Sequence, residues 1–229
     1  MGLQRFSMRW SKRPGGAGRH HGCHFSAACQ TRLKVAFSAH MTAVLDVPQI
    51  RDRLLRASVA DYHRYTEGQP TELLRGIVIE KMSRSPLHIF IAQKLHNILA
   101  GQIAPEFAVF LEGSITTPDS EPVPDVAVVA GDLDQYRSTH PATAELIVEV
   151  AIPSLEIDRV KGLIYAEAGV KECWIVCPEE KQVEIYRQPT AQGYAGRIVL
   201  STPAVLESCG VAGRAGGFRR VVCVKCRKG

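Results

Sequence analysis

The sequence contains no apolar run that approaches the length of a membrane-spanning helix, so the chain reads as one that does not cross a bilayer. It has no internal repeat, which removes solenoid architectures, and no secretory signal pattern. Acid is missing altogether from residues 1–40, which carry 7 Lys+Arg, and nearly so from residues 206–229, where Glu207 faces 6 Lys+Arg. Residues 41–205 are left with 15 basic and 22 acidic side chains, a net of −7 in a chain whose formal net charge is +5. The basic character therefore belongs to the two ends. An acidic body with clustered carboxylates points to cation binding rather than to a broad phosphate-tracking surface. Cysteine is scarce in the same body: of seven in the chain, only Cys173 and Cys177 lie there, on either side of Trp174-Ile175-Val176. At that spacing in a strand they share a face and read as packed thiols rather than a disulfide. An odd cysteine count fits a reducing cytosol, so a cytoplasmic location is expected.

The two ends are read separately from the body. Residues 1–40 show little periodicity and hold Pro14-Gly15-Gly16, His20-His21, Cys23-His24 and Cys29. They are either a transit-type leader or sequence lying ahead of a start at Met41. Cys223-Val224-Lys225-Cys226 is a single CxxC that, with Cys23, His24 or Cys29, could hold zinc; the plainer reading is a disordered basic tail. The expected organisation is thus an unstructured segment 1–40, one domain over 41–205, and a tail 206–229.

Within 41–205 the pattern predicts alternating elements. Ser58 suits the N-cap of a short helix to about Tyr65. Glu72–Met82 reads as strand, turn or bulge at Gly76, and strand. Pro86 opens a helix to about Ile103. Strands follow at Phe107–Leu111, at Pro124–Val129 with the proline at its entry, and at Ile147–Ala151. A helix over Leu155–Ala168 is ended by Gly169. Strands at Lys171–Val176, Gln182–Tyr186 and Tyr194–Leu200 complete the set. Strands outnumber helices, so the fold class is α/β, a mixed sheet flanked by helices.

Glu149 lies inside the apolar run Leu146–Ile152. A lone carboxylate there is costly and needs a partner, a cation or an exit to solvent. Asp125 stands at the start of another strand, Glu72 precedes the first apolar strand, and Lys161 lies on the helix after Glu149. If the two strands adjoin, Asp125 and Glu149 converge on one hard cation such as Mg2+ or Mn2+. Glu72 is a further candidate ligand, and Lys161 would act on the attacking water or the phosphate. The plain alternative is a Glu149–Lys161 ion pair without chemistry. His88 is either a contact to phosphate or metal, or a surface residue at a helix start. Glu80 reads as a solvated strand position, Asp158 as a first-turn acid that could order Lys161, Trp174 as core and Tyr165 as packing.

Pro124-Asp125 followed by Glu149-Val150-Ala151 resembles the PD-(D/E)XK nuclease superfamily, with Ala151 where its lysine usually stands. The order Glu72…Gly76, Ser85-Pro86-Leu87-His88, Pro124-Asp125-Val126, Val148-Glu149-Val150, Pro153-Ser154, Asp158, Lys161, Tyr165 and Ala168–Val176 is similar to the Uma-two family of restriction-endonuclease-like proteins. The resemblance spans about residues 58–200. It implies a restriction-endonuclease-like fold, a lysine moved to the following helix at Lys161, and metal-dependent cleavage of DNA, with a homodimer by analogy. Arg75 stands where that family usually has an acid, and Cys177 where it usually has Asp. Two functions are carried forward: a DNA endonuclease using Asp125, Glu149, Lys161 and Glu72, or an inactive domain of that fold binding nucleic acid or a partner.

Overall fold

The computed structural model describes residues 6–9, 56–66, 69–81, 83–201, 204–206 and 222–227. Its centre is a six-stranded sheet in the order β4 (Phe107–Leu111), β5 (Val126–Ala130), β6 (Leu146–Val150), β7 (Glu172–Cys177), β8 (Gln182–Thr190) and β9 (Gly193–Ser201). All neighbours pair antiparallel except β6 and β7, which are parallel and joined by the helix α3 (Leu155–Glu167). A parallel pair requires such a crossover. A two-stranded hairpin, β2 (Thr71–Leu74) with β3 (Ile77–Glu80), stands apart from this sheet after the short helix α1 (Val59–Thr66). The long helix α2 (Pro86–Gln102) links the hairpin to β4. In the terminal segments, β1 (Phe6–Arg9) runs parallel to β11 (Val222–Arg227), which pairs antiparallel with β10 (Ala204–Leu206). Within the two segments expected to lack order, the described residues are these paired strands. Cys223 and Cys226 fall on β11, while Cys23, His24 and Cys29 lie outside the described residues.

The local chemistry anticipated from sequence sets these boundaries. The Ser58 hydroxyl accepts from the Asp61 N–H at 3.1 Å as the cap of α1. The Ser85 hydroxyl accepts from the His88 N–H at 3.2 Å at the start of α2, with Pro86 in the first turn. Arg75 and Gly76 have φ of 51° and 77°, the paired left-handed conformation of a two-residue hairpin turn. Helix α3 stops at Gly169, φ 76°, where the N–H of Val170 reaches the carbonyl of Tyr165 and that of Gly169 reaches Ala166. Only a residue without Cβ adopts that closure at little cost. Several boundaries shift by a residue or two, and one differs by more: β8 continues past Tyr186 to Thr190, through Pro189. The β7 register ends at Arg187, so Pro189 has β9 on one side and no ladder to break on the other. A 3-10 turn at Leu133–Tyr136, which periodicity does not announce, bridges β5 and β6.

Strand alternation divides the core between the two faces of the sheet. Val126, Val128, Leu146, Val148, Trp174 and Val176 pack against Ile91, Leu95 and Leu99 of α2. Ala127, Val129, Ile147, Cys173, Ile175 and Cys177 face the other way, with Tyr165 of α3. Trp174 is fully buried, and both cysteines are buried free thiols, as expected. A third cluster, Leu74, Ile79, Val160 and Ile164, fastens the β2–β3 hairpin onto α3. The bidentate pair of Arg75 with Glu167, at 2.6 and 2.7 Å, locks the hairpin turn to the far end of the same helix. This packing matters for the site, because it brings Glu72 of β2 beside the side chains of α3. No helix among the described residues is long and apolar enough to cross a membrane.

Candidate active site

The β5–β6 register places Val126 opposite Val148. One step further, the same register sets Asp125 opposite Glu149. Like charges directly across a ladder repel, and the surrounding groups show how this pair is held. The Val150 N–H donates to Asp125 Oδ2 at 2.7 Å, and His88 Nε2 lies 3.1 Å from the same oxygen. Arg84 Nη2 stands 3.8 Å from Oδ1, while its other terminal nitrogen pairs with Glu112. Across the ladder, Lys161 Nζ is 2.7 Å from Glu149 Oε1, and the Tyr165 hydroxyl donates to that oxygen at 2.6 Å. Lys161 also donates to Glu72 Oε1 at 3.2 Å, an oxygen that takes the Val123 N–H at 2.8 Å. Lys161, Glu149, Asp125 and Glu72 are thus gathered at one place, and all four are buried.

Helix geometry explains the reach of Lys161. Tyr165 packs into the core face, and a residue four positions earlier lies on the same face one turn up. Asp158, three before Lys161, is carried inward too and is buried rather than a solvated first-turn acid. Its Oδ2 accepts from the Ser154 hydroxyl at 2.5 Å. Ser154 occupies the N-cap position of α3 yet makes no side-chain cap bond, so its hydroxyl serves Asp158 instead of the helix end. His88 corrects the surface reading: it is buried, and its Nδ1 is sealed without a hydrogen-bond partner among the described residues. Tyr165 does more than pack, since its hydroxyl holds Glu149. Glu80 is exposed, as expected of a solvated strand position. Arg84 and Lys81 were not singled out by sequence; both line the cleft. Their positions depend on the β3–α2 connection folding over β5, which no local pattern encodes. The spacing of Ser154 and Asp158 at i and i+4 was a usable signal for the buried acid.

The electrostatics follow from one buried ammonium among four carboxylates. Burial pushes the Glu149 carboxyl up to about 8; Asp158, Asp125 and Glu72 add to this and Lys161 opposes it. Burial likewise lifts Asp158 to about 6 against the pull of Lys161 and Ser154. For Asp125 burial works in the same direction, but the hydrogen bond and charge of His88, with Lys161 and the Val150 N–H, hold it below the ordinary value. Burial would lower Lys161, yet Glu149, Glu72, Asp158 and Asp125 raise it well above the usual lysine value.

Among the described residues no group of three or more His, Cys, Asp or Glu is arranged to hold a metal ion. The cation at the centre is the Lys161 ammonium. The donor chemistry nevertheless fits a hard cation held by two carboxylates and water. In each of Glu72, Asp125, Glu149 and Asp158 one oxygen is committed. The other oxygen of each accepts no hydrogen bond among the described residues, and none of the four is sealed from solvent. They line a cavity of about 70 Å³. A single water takes roughly 10–15 Å³ on this scale, so the space accommodates a partly hydrated ion. Magnesium is usually held by one or two carboxylates plus waters, which is what Asp125 and Glu149 offer.

The sequence matches the profile of the Uma2 family, described as "Putative restriction endonuclease", over residues 59–214. The chain belongs to the Uma2 family. A crystal structure of "a putative nuclease belonging to DUF820" from Anabaena variabilis shares its fold, with a TM-score of 0.54 and 19% sequence identity over 65% of this chain and 87% of that one. No curated protein matches the chain. The Uma2 match takes in all four gathered residues, and the shared fold is the α/β sheet-and-helix arrangement expected from the strand and helix pattern.

Proposed function

We propose that this Uma2 chain is a metal-dependent endonuclease that hydrolyses phosphodiester bonds of DNA in the cytoplasm, using Mg2+ or Mn2+. The observation that carries the reading is the Lys161 ammonium, delivered by the helix after β6 to within 2.7 Å of Glu149 and 3.2 Å of Glu72, in a cleft shared with Asp125. Asp125 and Glu149 would hold the ion, with Glu72 as an outer-sphere or second-ion acid. When bound, the ion lowers the pKa of a coordinated water and offsets charge that develops on the phosphate. An ammonium has three N–H donors. Lys161 donates one to Glu72 and ion-pairs with Glu149, which leaves donor capacity for the attacking water or a non-bridging phosphate oxygen. His88, through its bond to one oxygen of Asp125, fixes which oxygen is left open. By analogy with nucleases that cut both strands, a homodimer would supply one cleft to each strand.

Titration of the full chain with Mg2+ by calorimetry, with DNA cleavage followed in parallel, tests this reading. Asp125→Asn should abolish Mg2+ binding and cleavage while the chain still folds, with a lower melting temperature at pH 7 because burial of the Asp125 charge is outweighed by His88, Lys161 and the Val150 N–H, which favour it. A lowered melting temperature with unchanged Mg2+ affinity makes Asp125 structural. DNA binding without cleavage by the parent chain in Mg2+ or Mn2+ leaves an inactive nucleic-acid-binding domain instead.

A further inference from the structure

Lys81 follows β3 and lines the same cleft as Arg84 and Lys161. It is partly buried. Among the described residues its ammonium has no carboxylate within ion-pairing distance and no hydrogen-bond acceptor. The contrast with its neighbours is sharp. Lys161 closes on two glutamates, and Arg84 is drawn to Glu112 and Asp125. Glu72 and Glu112 act on Lys81 only through their fields, and Arg84 and Lys161 repel it. Desolvation, the largest influence, pushes its ammonium below the ordinary lysine value. A partly dehydrated cation that Glu72 and Glu112 favour only at a distance, and that Arg84 and Lys161 disfavour, gains from a ligand that brings an anion into contact with it. Lys81 lines the cleft and is only partly buried, so an anion that enters the cleft from solution can reach it.

We infer that Lys81, with Arg84 beside it, forms a phosphate subsite that grips a phosphate of the nucleic-acid chain adjacent to the one at Lys161. This rests on the proposed nucleic-acid substrate but not on cleavage. It deepens that reading by naming the substrate as a polynucleotide segment that presents two neighbouring phosphates, rather than an isolated phosphodiester. Lys81 contributes a point charge, and the Arg84 guanidinium, tied to Glu112 and Asp125, adds positive field from the same cleft. Binding at this subsite neutralises Lys81 and weakens the mutual repulsion of the three cations. No covalent change is involved.

The test uses the full chain in Ca2+ and equilibrium binding of thymidine dinucleotides: one with a 5′-terminal phosphate, one with a 3′-terminal phosphate, and one with the internal phosphodiester alone. The parent should prefer one of the two-phosphate ligands by about tenfold, the scale of one charge-assisted contact. In Lys81→Gln that preference should fall to near unity, and Lys81→Arg should restore most of it. On a longer single-stranded DNA, Lys81→Gln should reduce the slope of log affinity against log salt by about 0.7, one phosphate contact fewer. A preference of the same size in Lys81→Gln, or no preference in the parent with an unchanged salt slope in the variant, overturns the subsite. Failure of the nuclease reading appears elsewhere, as a parent chain that keeps the preference yet never cleaves in Mg2+.

Discussion

Two glutamates stand in one row of the sheet and meet opposite fates. The ladders place Glu149 of β6 opposite Ile175 of β7, and Ile175 opposite Glu184 of β8. Both carboxylates are buried on the α3 side, and α3 sends a cation to each: Lys161 to Glu149 at 2.7 Å and Arg159 to Glu184 at 2.5 Å. The difference lies in what surrounds them. Glu184 has two guanidiniums, since Arg197 adds a bond at 2.9 Å, and the Tyr186 hydroxyl donates at 2.5 Å. Burial opposes ionisation of Glu184, but the bonds from Arg159, Tyr186 and Arg197 win and hold it down to about 2. Glu149 shares one lysine with Glu72, Asp158 and Asp125, and burial pushes it up to about 8. A carboxylate with cations to spare is a structural tie. One with a deficit is a place where a proton or a metal ion is still wanted.

The largest consequence of that asymmetry concerns the two α3 cations. Lys161→Ala should reduce DNA cleavage in Mg2+ by a factor on the order of a hundred or more, as for other lost transition-state stabilisers. DNA affinity in Ca2+ should hold or tighten, because the carboxylates become free for the ion. The loss of stability is limited, since Glu149, raised to about 8, already holds a proton at pH 7. Cleavage at the parental rate removes Lys161 from the chemistry. Arg159→Ala is the matching control: it should lower the melting temperature and leave Mg2+ affinity unchanged.

A smaller effect separates the two glutamates by pH. Glu184→Gln should destabilise the fold by about 1–2 kcal/mol at pH 7, roughly tenfold in the folded ratio, reduced from a fully buried pair because its arginines are partly open to solvent. Glu184 is depressed from 4.5 to about 2, so its contribution is complete above pH 4.5 and disappears as the pH falls toward 2. Melting curves of parent and variant should therefore converge in that acid window. Glu149 is raised from 4.5 to about 8, and the sign reverses: its protonated form contributes fully below pH 4.5, and the contribution is lost as the pH rises through 8. The metal must displace that proton, so stabilisation by Mg2+ should grow over the same interval. Glu149 and Glu184 variants that lose stability in the same pH window would dissolve the distinction.

Much of this arrangement is legible in the chain, and the reason is local chemistry. Gly169 closing α3, Pro86 opening α2 and Arg75-Gly76 turning the hairpin are each decided within a few residues. Glu149 was conspicuous because an acid inside Leu146–Ile152 violates the pattern around it. Lys161 could be placed because Tyr165, four residues on, is an apolar-bodied side chain that fixes which way the helix faces. What escaped depends on segments distant in sequence meeting in space. His88 is buried because the start of β5 passes under the first turn of α2. Arg84 is drawn in by Glu112 and Asp125 together, and Lys81 is brought into the cleft beside both signs of charge. The extension of β8 through Pro189 was missed because a proline is tolerated only once β7 has ended, and that is a property of the whole sheet.

The smallest expected effect is also the most selective. Tyr165→Phe removes only the hydroxyl that donates to Glu149 Oε1 at 2.6 Å. Burial first, and then the Glu149 charge, keep that hydroxyl protonated, so it is a constant donor. A hydrogen bond to an ionised carboxylate favours the ionised form, and its loss makes Glu149 hold its proton more firmly. Mg2+ must then compete with that proton, and its affinity at pH 7 should fall about fivefold. Lost outer-sphere partners usually cost about 10–100-fold; the smaller figure is expected because Lys161 remains on the same oxygen at 2.7 Å. The deficit should shrink above pH 8, where the proton leaves in parent and variant alike. Tyr186→Phe makes the same chemical change beside Glu184, where two arginines already fix the charge. It should leave Mg2+ affinity unmoved at every pH. Equal shifts in the two variants would mean that the tyrosines act through general packing, and that Glu149 owes nothing special to its hydroxyl partner.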